Sequence, residues 1–222
     1  MTSLIIKIIA CITMLLDHIK YALPFNRGIL TEYFGRISFP LFAFLITEGY
    51  IHTKDLKKYC LRLFIFGIIS QIPFMLFRSL VGEWKMLNIM FTMLLGLIAI
   101  FVYDKCEKKY ISIPIVILVA MIGEIINVDY GFYGVLTVFI MYGLRNKKIL
   151  LPIAYGIFVT LYYYSALREW IIKIPYILYP ICTWLSSLII ISYNGKQGKK
   201  IKYFFYWFYP LHMIVIYLIS FI

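Results

Sequence analysis

The sequence predicts an all-α fold, a polytopic bundle of about nine transmembrane helices, on three observations. Runs of about 20 apolar residues recur from end to end, the length that crosses ~30 Å of hydrocarbon. Of the 222 residues, 63% are hydrophobic and 14% charged, where an ordinary soluble domain has roughly 45–50% and 25%. The remaining charges gather in short segments between the runs, most of them beside turn residues.

Taken in order, the first run, Leu4 to Leu23, is longer than a signal-peptide core and has no small-residue cleavage site after it. Residues 3–24 therefore read as a span. Further spans follow at 33–52, 59–80, 87–104, 111–127, 131–144, 149–164, 174–193 and 203–221. Turn signals separate them, as at Asn26-Arg27-Gly28, Asp129-Tyr130-Gly131 and Asn194-Gly195. The span at 131–144 is short for a full crossing. Fused with its neighbour, it would reduce the count to eight and move the C-terminus to the other side; the expected range is eight to ten. No stretch remains for a soluble domain, so residues 1–222 are expected to form a single integral membrane domain.

Loop charge sets the orientation. Lys54, Lys57 and Lys58 lie between the second and third spans, and Lys105, Lys108 and Lys109 between the fourth and fifth. Arg145, Lys147 and Lys148 follow the sixth span; Lys196, Lys199, Lys200 and Lys202 follow the eighth. The alternate loops hold only Lys20, Arg27, Arg78, Lys85, Arg168 and Lys173. The richer side is expected to be cytoplasmic, which puts the N-terminus inside. The net charge of +12 is thus a topology signal directed at a membrane, and nucleic acid is not an expected partner. Cys11, Cys60, Cys106 and Cys182 form no CxxC pair; they read as small buried hydrophobes, and no metal is expected.

Ionisable residues inside spans cost several kcal/mol and are functional candidates. The first span carries Asp17-His18 roughly two-thirds of the way across at 1.5 Å per residue. Adjacent helical residues point about 100° apart, so the two do not pair with each other. Arg36, at a similar level in the second span, is a natural partner for Asp17, or alternatively snorkels to the outer interface. Glu48 and His52 share one face near the cytoplasmic end, as do Lys58 and Arg62 at the start of the third span. Pro40 and Pro73 free backbone carbonyls that neighbouring helices or a cavity must satisfy. Asn88 and Thr92 share a face on the outer side, near Glu124 and Asp129. In the last span Tyr209 and His212 are neighbours, beside Pro210. The polar groups fall into an outer layer (Asp17, His18, Arg36, Asn88, and Asp129 unless it is only a turn residue) and an inner one (Glu48, His52, Lys58, Arg62 and the loop at 193–200), with His212 between.

The segments Leu16-Asp17-His18-Ile19, Gly35-Arg36-Ile37-Ser38-Phe39-Pro40, Thr47-Glu48-Gly49 and Ser70-Gln71-Ile72-Pro73 resemble the TraX family. So do Asn88-Ile89-Met90-Phe91-Thr92, Asp129-Tyr130-Gly131, Tyr193-Asn194-Gly195-Lys196 and Tyr209-Pro210-Leu211-His212, in the same order over nearly the whole chain. That family is named for the protein that N-acetylates the amino terminus of F-type conjugative pilin. The resemblance implies a membrane acetyltransferase with acetyl-CoA as donor substrate, and an acceptor that is a pilin-type amine or an envelope glycan.

On the residues themselves, such a reaction needs a base near neutral pH. His18 is the first choice and His212 the second, with Asp17 orienting an imidazole and Arg36 or Asn88 donating to the oxyanion. Lys58, Arg62, Lys196 and Lys199 are expected to meet the coenzyme's phosphates, with Glu48 and His52 beside them and Asn194-Gly195 offering turn N–H groups. The rival readings are a proton-coupled transporter and a non-catalytic assembly factor for surface appendages. No internal repeat supports the transporter.

Overall fold

The computed structural model describes residues 1–22, 29–167, 174–199 and 201–221. The predicted turn at Asn26–Gly28 and the charges of Arg27, Arg168, Lys173 and Lys200 lie outside these residues. Among the described residues there are nine helices and no strand: α1 (Ser3–Ile19), α2 (Ile29–His52), α3 (Leu56–Ser79), α4 (Ile89–Lys105), α5 (Lys109–Ile125), α6 (Gly131–Leu144), α7 (Leu150–Leu167), α8 (Ile174–Ile191) and α9 (Lys202–Ile219). Each falls on an expected span. Pro40 and Pro73 sit inside continuous helices rather than breaking them.

Among the described residues α3 is the one helix both long and apolar enough to cross a membrane; its 24 residues extend about 36 Å. Helices α1, α4 and α5 have 17 residues and α6 has 14.

The chain divides into two compact units. One holds residues 1–42, 144–205 and 219–222, the other residues 43–143 and 206–218. In the first, α1 and the start of α2 run antiparallel, with the Ser38 hydroxyl donating to the Ala10 carbonyl at 2.9 Å. Helices α7 and α8 pair through the Trp184 indole, which donates to the Pro152 carbonyl at 2.8 Å.

In the second unit α3 and α4 are antiparallel, with Phe91 packed on Phe64 and Gly67. A core of Ala99, Val116, Val119, Ala120 and Val135 joins α4, α5 and α6. Gly96 is required there: a Cβ at that position would stand 2.6 Å from Val138, so any side chain would force α4 and α6 apart. At the far ends of these helices the Tyr50 and Tyr142 hydroxyls each donate to the Asp104 carboxylate at 2.8 Å.

Candidate functional site

The second unit builds its polar site around the start of α4. Asn88 is the N-cap, the position at which a short side-chain acceptor replaces a missing helical bond. Its Oδ1 accepts from the Met90 N–H at 3.0 Å. Its Nδ2 donates to the Gly67 carbonyl at 2.7 Å and to Gln71 Oε1 at 2.8 Å. The same Gln71 oxygen accepts the Asn88 N–H at 3.1 Å, and the Gln71 amide donates to the Met86 carbonyl at 2.8 Å. Asn88 is fully buried.

These bonds fix a depth. Asn88 lies beside the Gly67–Gln71 turn of α3, which continues to Ser79, two more turns or roughly 12 Å. The segment 80–88 therefore folds back along α3 before α4 begins. The turn joining α5 to α6 descends to the same level. Leu87 and Val128 form a parallel bridge, the Asp129 N–H donates to the Leu87 carbonyl at 2.7 Å, and the Thr92 hydroxyl donates to the Asp129 carbonyl. Glu124 caps α6 through the Phe132 N–H at 2.8 Å. So α6 is short because it starts low, beside the start of α4. An open depression of about 570 Å³, lined by Gly82, Glu83, Trp84, Lys85, Met86 and Asn127, lies in the returning segment.

Helix α9 closes this site. Tyr206 stacks on Phe66 at 4.7 Å, which sets Tyr209 one turn further on, at the α4 start. Tyr209 is buried, with the Ile89 backbone, Asp129 and Arg78 around its hydroxyl. One turn on, the His212 ring lies 5.9 Å from that of Tyr209 and stacks on Phe208 at 5.0 Å. His212 Nδ1 is 2.7 Å from the Phe208 carbonyl. A carbonyl only accepts, so Nδ1 carries the proton, and the neutral ring has its lone pair on Nε2.

Asn88 was expected to donate to an oxyanion. Its amide hydrogens are instead taken up by Gly67 and Gln71, so it positions α4 rather than reaching a ligand. Gln71 and the Tyr209 hydroxyl were the parts that residue-by-residue reading undervalued. Their signal was present in the Ser70-Gln71-Ile72-Pro73 and Tyr209-Pro210-Leu211-His212 segments.

At the end of α2 in the same unit, His52 Nε2 is 3.4 Å from the Glu48 carboxylate, as their spacing predicted. Arg62 lies over the Tyr59 ring at 5.5 Å, with its Nε buried and without a hydrogen bond. Lys58 is exposed and pairs with Asp55 at 3.3 Å. Asp55 caps α3, and the Lys58 backbone N–H holds its carboxyl below the usual carboxylate range.

The first unit holds Asp17, His18 and Arg36. The expected Asp17–Arg36 pair is not formed. Asp17 binds Lys20 on its own helix at 2.8 Å, because a partner three residues along needs no second element. Gly35 of α2 packs directly on the Asp17 side chain, leaving no room for a Cβ. The Arg36 guanidinium lies over the Tyr179 ring at 4.7 Å, and Tyr33 meets the same ring edge-on at 5.6 Å. His18 is half-buried in the last turn of α1.

The loop at 192–199, also in the first unit, is tied to the start of α1. Ser3 and Leu4 donate their N–H groups to the Lys196 and Gln197 carbonyls at 2.9 and 3.2 Å. Two N–H groups of the expected phosphate turn are used internally: that of Asn194 donates to the Met1 carbonyl at 2.9 Å, and that of Lys196 to Asn194 Oδ1 at 3.1 Å. The Lys196 and Lys199 side chains remain exposed. Among the described residues no group of three or more His, Cys, Asp or Glu is placed to hold a metal ion.

A family model described as TraX protein matches residues 3–220. The chain belongs to the TraX family. It is similar to the probable fimbrial assembly protein FimC, serogroup H1, of Dichelobacter nodosus, at 26% identity over 228 residues, covering 95% of this chain and 92% of the relative. No solved structure matches it. In this TraX protein the polar segments singled out along the sequence thus divide between two sites. Gln71, Asn88, Thr92, Asp129, Tyr209 and His212 meet around one helix start; Asp17, Gly35 and Arg36 occupy the α1–α2 packing of the other unit.

Proposed function

We propose that this TraX protein is a multi-pass membrane acetyltransferase, moving an acetyl group from cytoplasmic acetyl-CoA to an amine or hydroxyl of a cell-surface acceptor such as a pilin subunit. The polytopic part is supported by the outward faces of the helices. Ile72 on α3 and Ile111, Ile113, Ile117, Leu118, Met121 and Ile125 on α5 are all exposed, Ile125 at 78%. A continuous apolar face of this kind suits lipid and not water.

Orientation is supported within each unit separately. Residues 1–4 bond the loop at 194–197, both on the cytoplasmic side by charge. Residues 85–88 bond the turn at 127–129, both on the outer side. Tyr50, Asp104 and Tyr142 gather three helix ends assigned to the cytoplasm. The cytoplasmic N-terminus is part of the proposal.

The observation that carries the chemistry is His212. It is a buried imidazole whose Nδ1–H is fixed on the Phe208 carbonyl, with Tyr209 one turn away beside the start of α4. An ammonium or alcohol is a poor nucleophile near neutrality; the amine, its ammonium proton lost to solvent, or the hydroxyl attacks the acetyl carbon as Nε2 takes its proton, the carbon–sulfur bond breaks, and His212 passes that proton to the departing coenzyme thiolate. Asp17, which an α1 base would need as its orienting carboxylate, is already held by Lys20, and this favours His212 over His18. On the inner side the unbonded Arg62 Nε, with Lys58 and the Glu48–His52 pair, supplies a cationic edge for the coenzyme's phosphates.

The test is direct. Purified protein in liposomes receives acetyl-CoA and either a peptide with a free amino terminus or a glycan. The expected result is acetylated acceptor with one CoA released per acetyl transferred. Acetyl-CoA that neither binds nor releases CoA sinks the proposal.

A second reading, a non-catalytic assembly factor for surface appendages, is favoured by the name of the fimbrial relative and by the closed Asp17–Lys20 pair. It requires that His212→Ala support appendage assembly as well as the unmodified protein does.

A further inference from the structure

The acetyl-transfer reading, on which this inference rests, gives the acceptor no seat and leaves amine and hydroxyl both open. We infer that the depression in the returning segment, with Trp84 on its rim, is a carbohydrate-binding site, the seat of a glycan acceptor that offers a hydroxyl.

The depression is held in shape from both walls. Arg78, one residue before the end of α3, bonds Glu83 and Met86 through its guanidinium, the Met86 sulfur at 3.5 Å. The Glu83 N–H returns to the Arg78 carbonyl at 3.1 Å. Gly82 makes the turn between them at a φ of +78°, where a side chain would be strained. The Gln71 amide holds the Met86 carbonyl at 2.8 Å. On the other wall the Asn127 amide donates to the Lys85 carbonyl at 3.2 Å, and the Leu87 N–H to the Asn127 carbonyl at 2.9 Å. These bonds tie down the backbone and leave the side chains of Glu83, Trp84 and Lys85 exposed. The volume of about 570 Å³ falls within the ~300–1,000 Å³ of small-ligand sites.

The lining selects the ligand. Trp84 is 49% exposed, a large indole left uncovered between Glu83 and Lys85. The face of its ring is electron-rich and already attracts the Lys85 ammonium, 5.4 Å from the centroid. A sugar ring presents polarised C–H groups to such a face and hydroxyls around its edge, within reach of a carboxylate that accepts and an ammonium that donates. A peptide amino terminus fits less well. Glu83, the one carboxylate among the lining residues, already carries the Arg78 guanidinium, and Lys85 adds a second positive charge. An entering ammonium meets net repulsion; a neutral or acidic sugar does not.

The seat adjoins the proposed chemistry. Met86 of the lining stands two residues before Asn88, the cap of α4, and Tyr209 beside that helix start has His212 as its neighbour. The step balances for a hydroxyl: its oxygen bonds to the acetyl carbon as His212 Nε2 takes the proton. The carbon–sulfur bond breaks, and the coenzyme thiolate recovers that proton.

The experiment uses the full chain in liposomes, first without donor. Saturation-transfer NMR is run with an N-acetylglucosamine tetrasaccharide, a galacturonic acid tetrasaccharide and a peptide with a free amino terminus. A tetrasaccharide should receive saturation, most strongly at its ring C–H protons, and the peptide none. Trp84→Ala should lower the sugar's affinity about tenfold, and Trp84→Phe, which keeps an aromatic face, should lower it less. Trp84 lies outside the helices, so the helical signal should be the same in every variant. With acetyl-CoA added, KM for the sugar should rise about tenfold in Trp84→Ala while KM for acetyl-CoA changes less than about threefold. Binding of neither tetrasaccharide overturns the site. So does sugar binding indifferent to Trp84→Ala, which makes Trp84 an interfacial anchor. A peptide that binds through Trp84 and is acetylated overturns the sugar assignment and leaves acetyl transfer standing. A sugar that binds through Trp84 but, with every other acceptor, is never acetylated leaves the carbohydrate site standing and sinks the acetyl-transfer reading.

Discussion

The two polar sites differ in what their satisfied groups hold in place. In the first unit Asp17 is closed by Lys20 on its own helix, and Gly35 seals it from above. In the second, the Asn88–Gln71 network is equally complete, and it fixes the start of α4 beside Tyr209 of α9, whose neighbour one turn on is His212. A closed pair alone holds helices together; a closed network beside a titratable ring also positions a group for chemistry. Sequence alone ranked these two regions the other way, because Asp17-His18 carries more formal charge than Asn88 or Tyr209.

The largest expected effect is on catalysis. His212→Ala should lower acetyl transfer by about 10²–10⁴-fold with the helical signal unchanged. Full activity there, with loss in His18→Ala, would return the base to α1 and break the comparison.

Asn88→Ala comes next, and it should act on the fold. It removes the α4 cap and the two amide hydrogen bonds to the Gly67 carbonyl and Gln71 Oε1, for a loss of about 3 kcal/mol in denaturant unfolding. Asn88→Ala with wild-type stability would mean that the network does not hold the helix start.

The Asp17–Lys20 pair is predicted to behave as a structural clasp. Lys20→Met, which strands Asp17, should destabilise by about 3 kcal/mol, and Asp17→Asn combined with Lys20→Met should recover most of that. An Asp17→Asn variant that unfolds normally but no longer transfers acetyl would show the closed site to be functional after all. The smallest effect belongs to the helix ends: Tyr50→Phe, which leaves Asp104 one of its two phenols, should cost about 0.6 kcal/mol and leave kcat unchanged.

Much of the architecture was legible in the sequence. The 14-residue helix at 131–144 matches its expected bounds, because Asp129-Tyr130-Gly131 and the charges after Leu144 punctuate it on both sides. The Glu48–His52 contact followed from helical spacing alone. What could not be read was depth. The residues between α3 and α4 are a plausible surface loop by composition. They fold inward only because Gln71 and Gly67 offer bonds to Asn88 across 17 and 21 residues of chain. No periodicity encodes such a contact. The Asp17 partner was missed for the opposite reason: Lys20 was read as loop charge, whereas α1 runs to Ile19 and brings it within local reach. The phosphate turn at Asn194–Gly195 was legible as a turn, but not the use of its N–H groups by its own side chain and by the chain start.

The low starts of α4 and α6 also bear on thickness. On the proposed reading, a full crossing would carry the acetyl carbonyl through ~30 Å of hydrocarbon. The 14 residues of α6 measure only about 21 Å, and α4 reaches the same level from the same side. On that same reading the protein would thin its own barrier locally, leaving the donor's acyl end only part of the bilayer to travel.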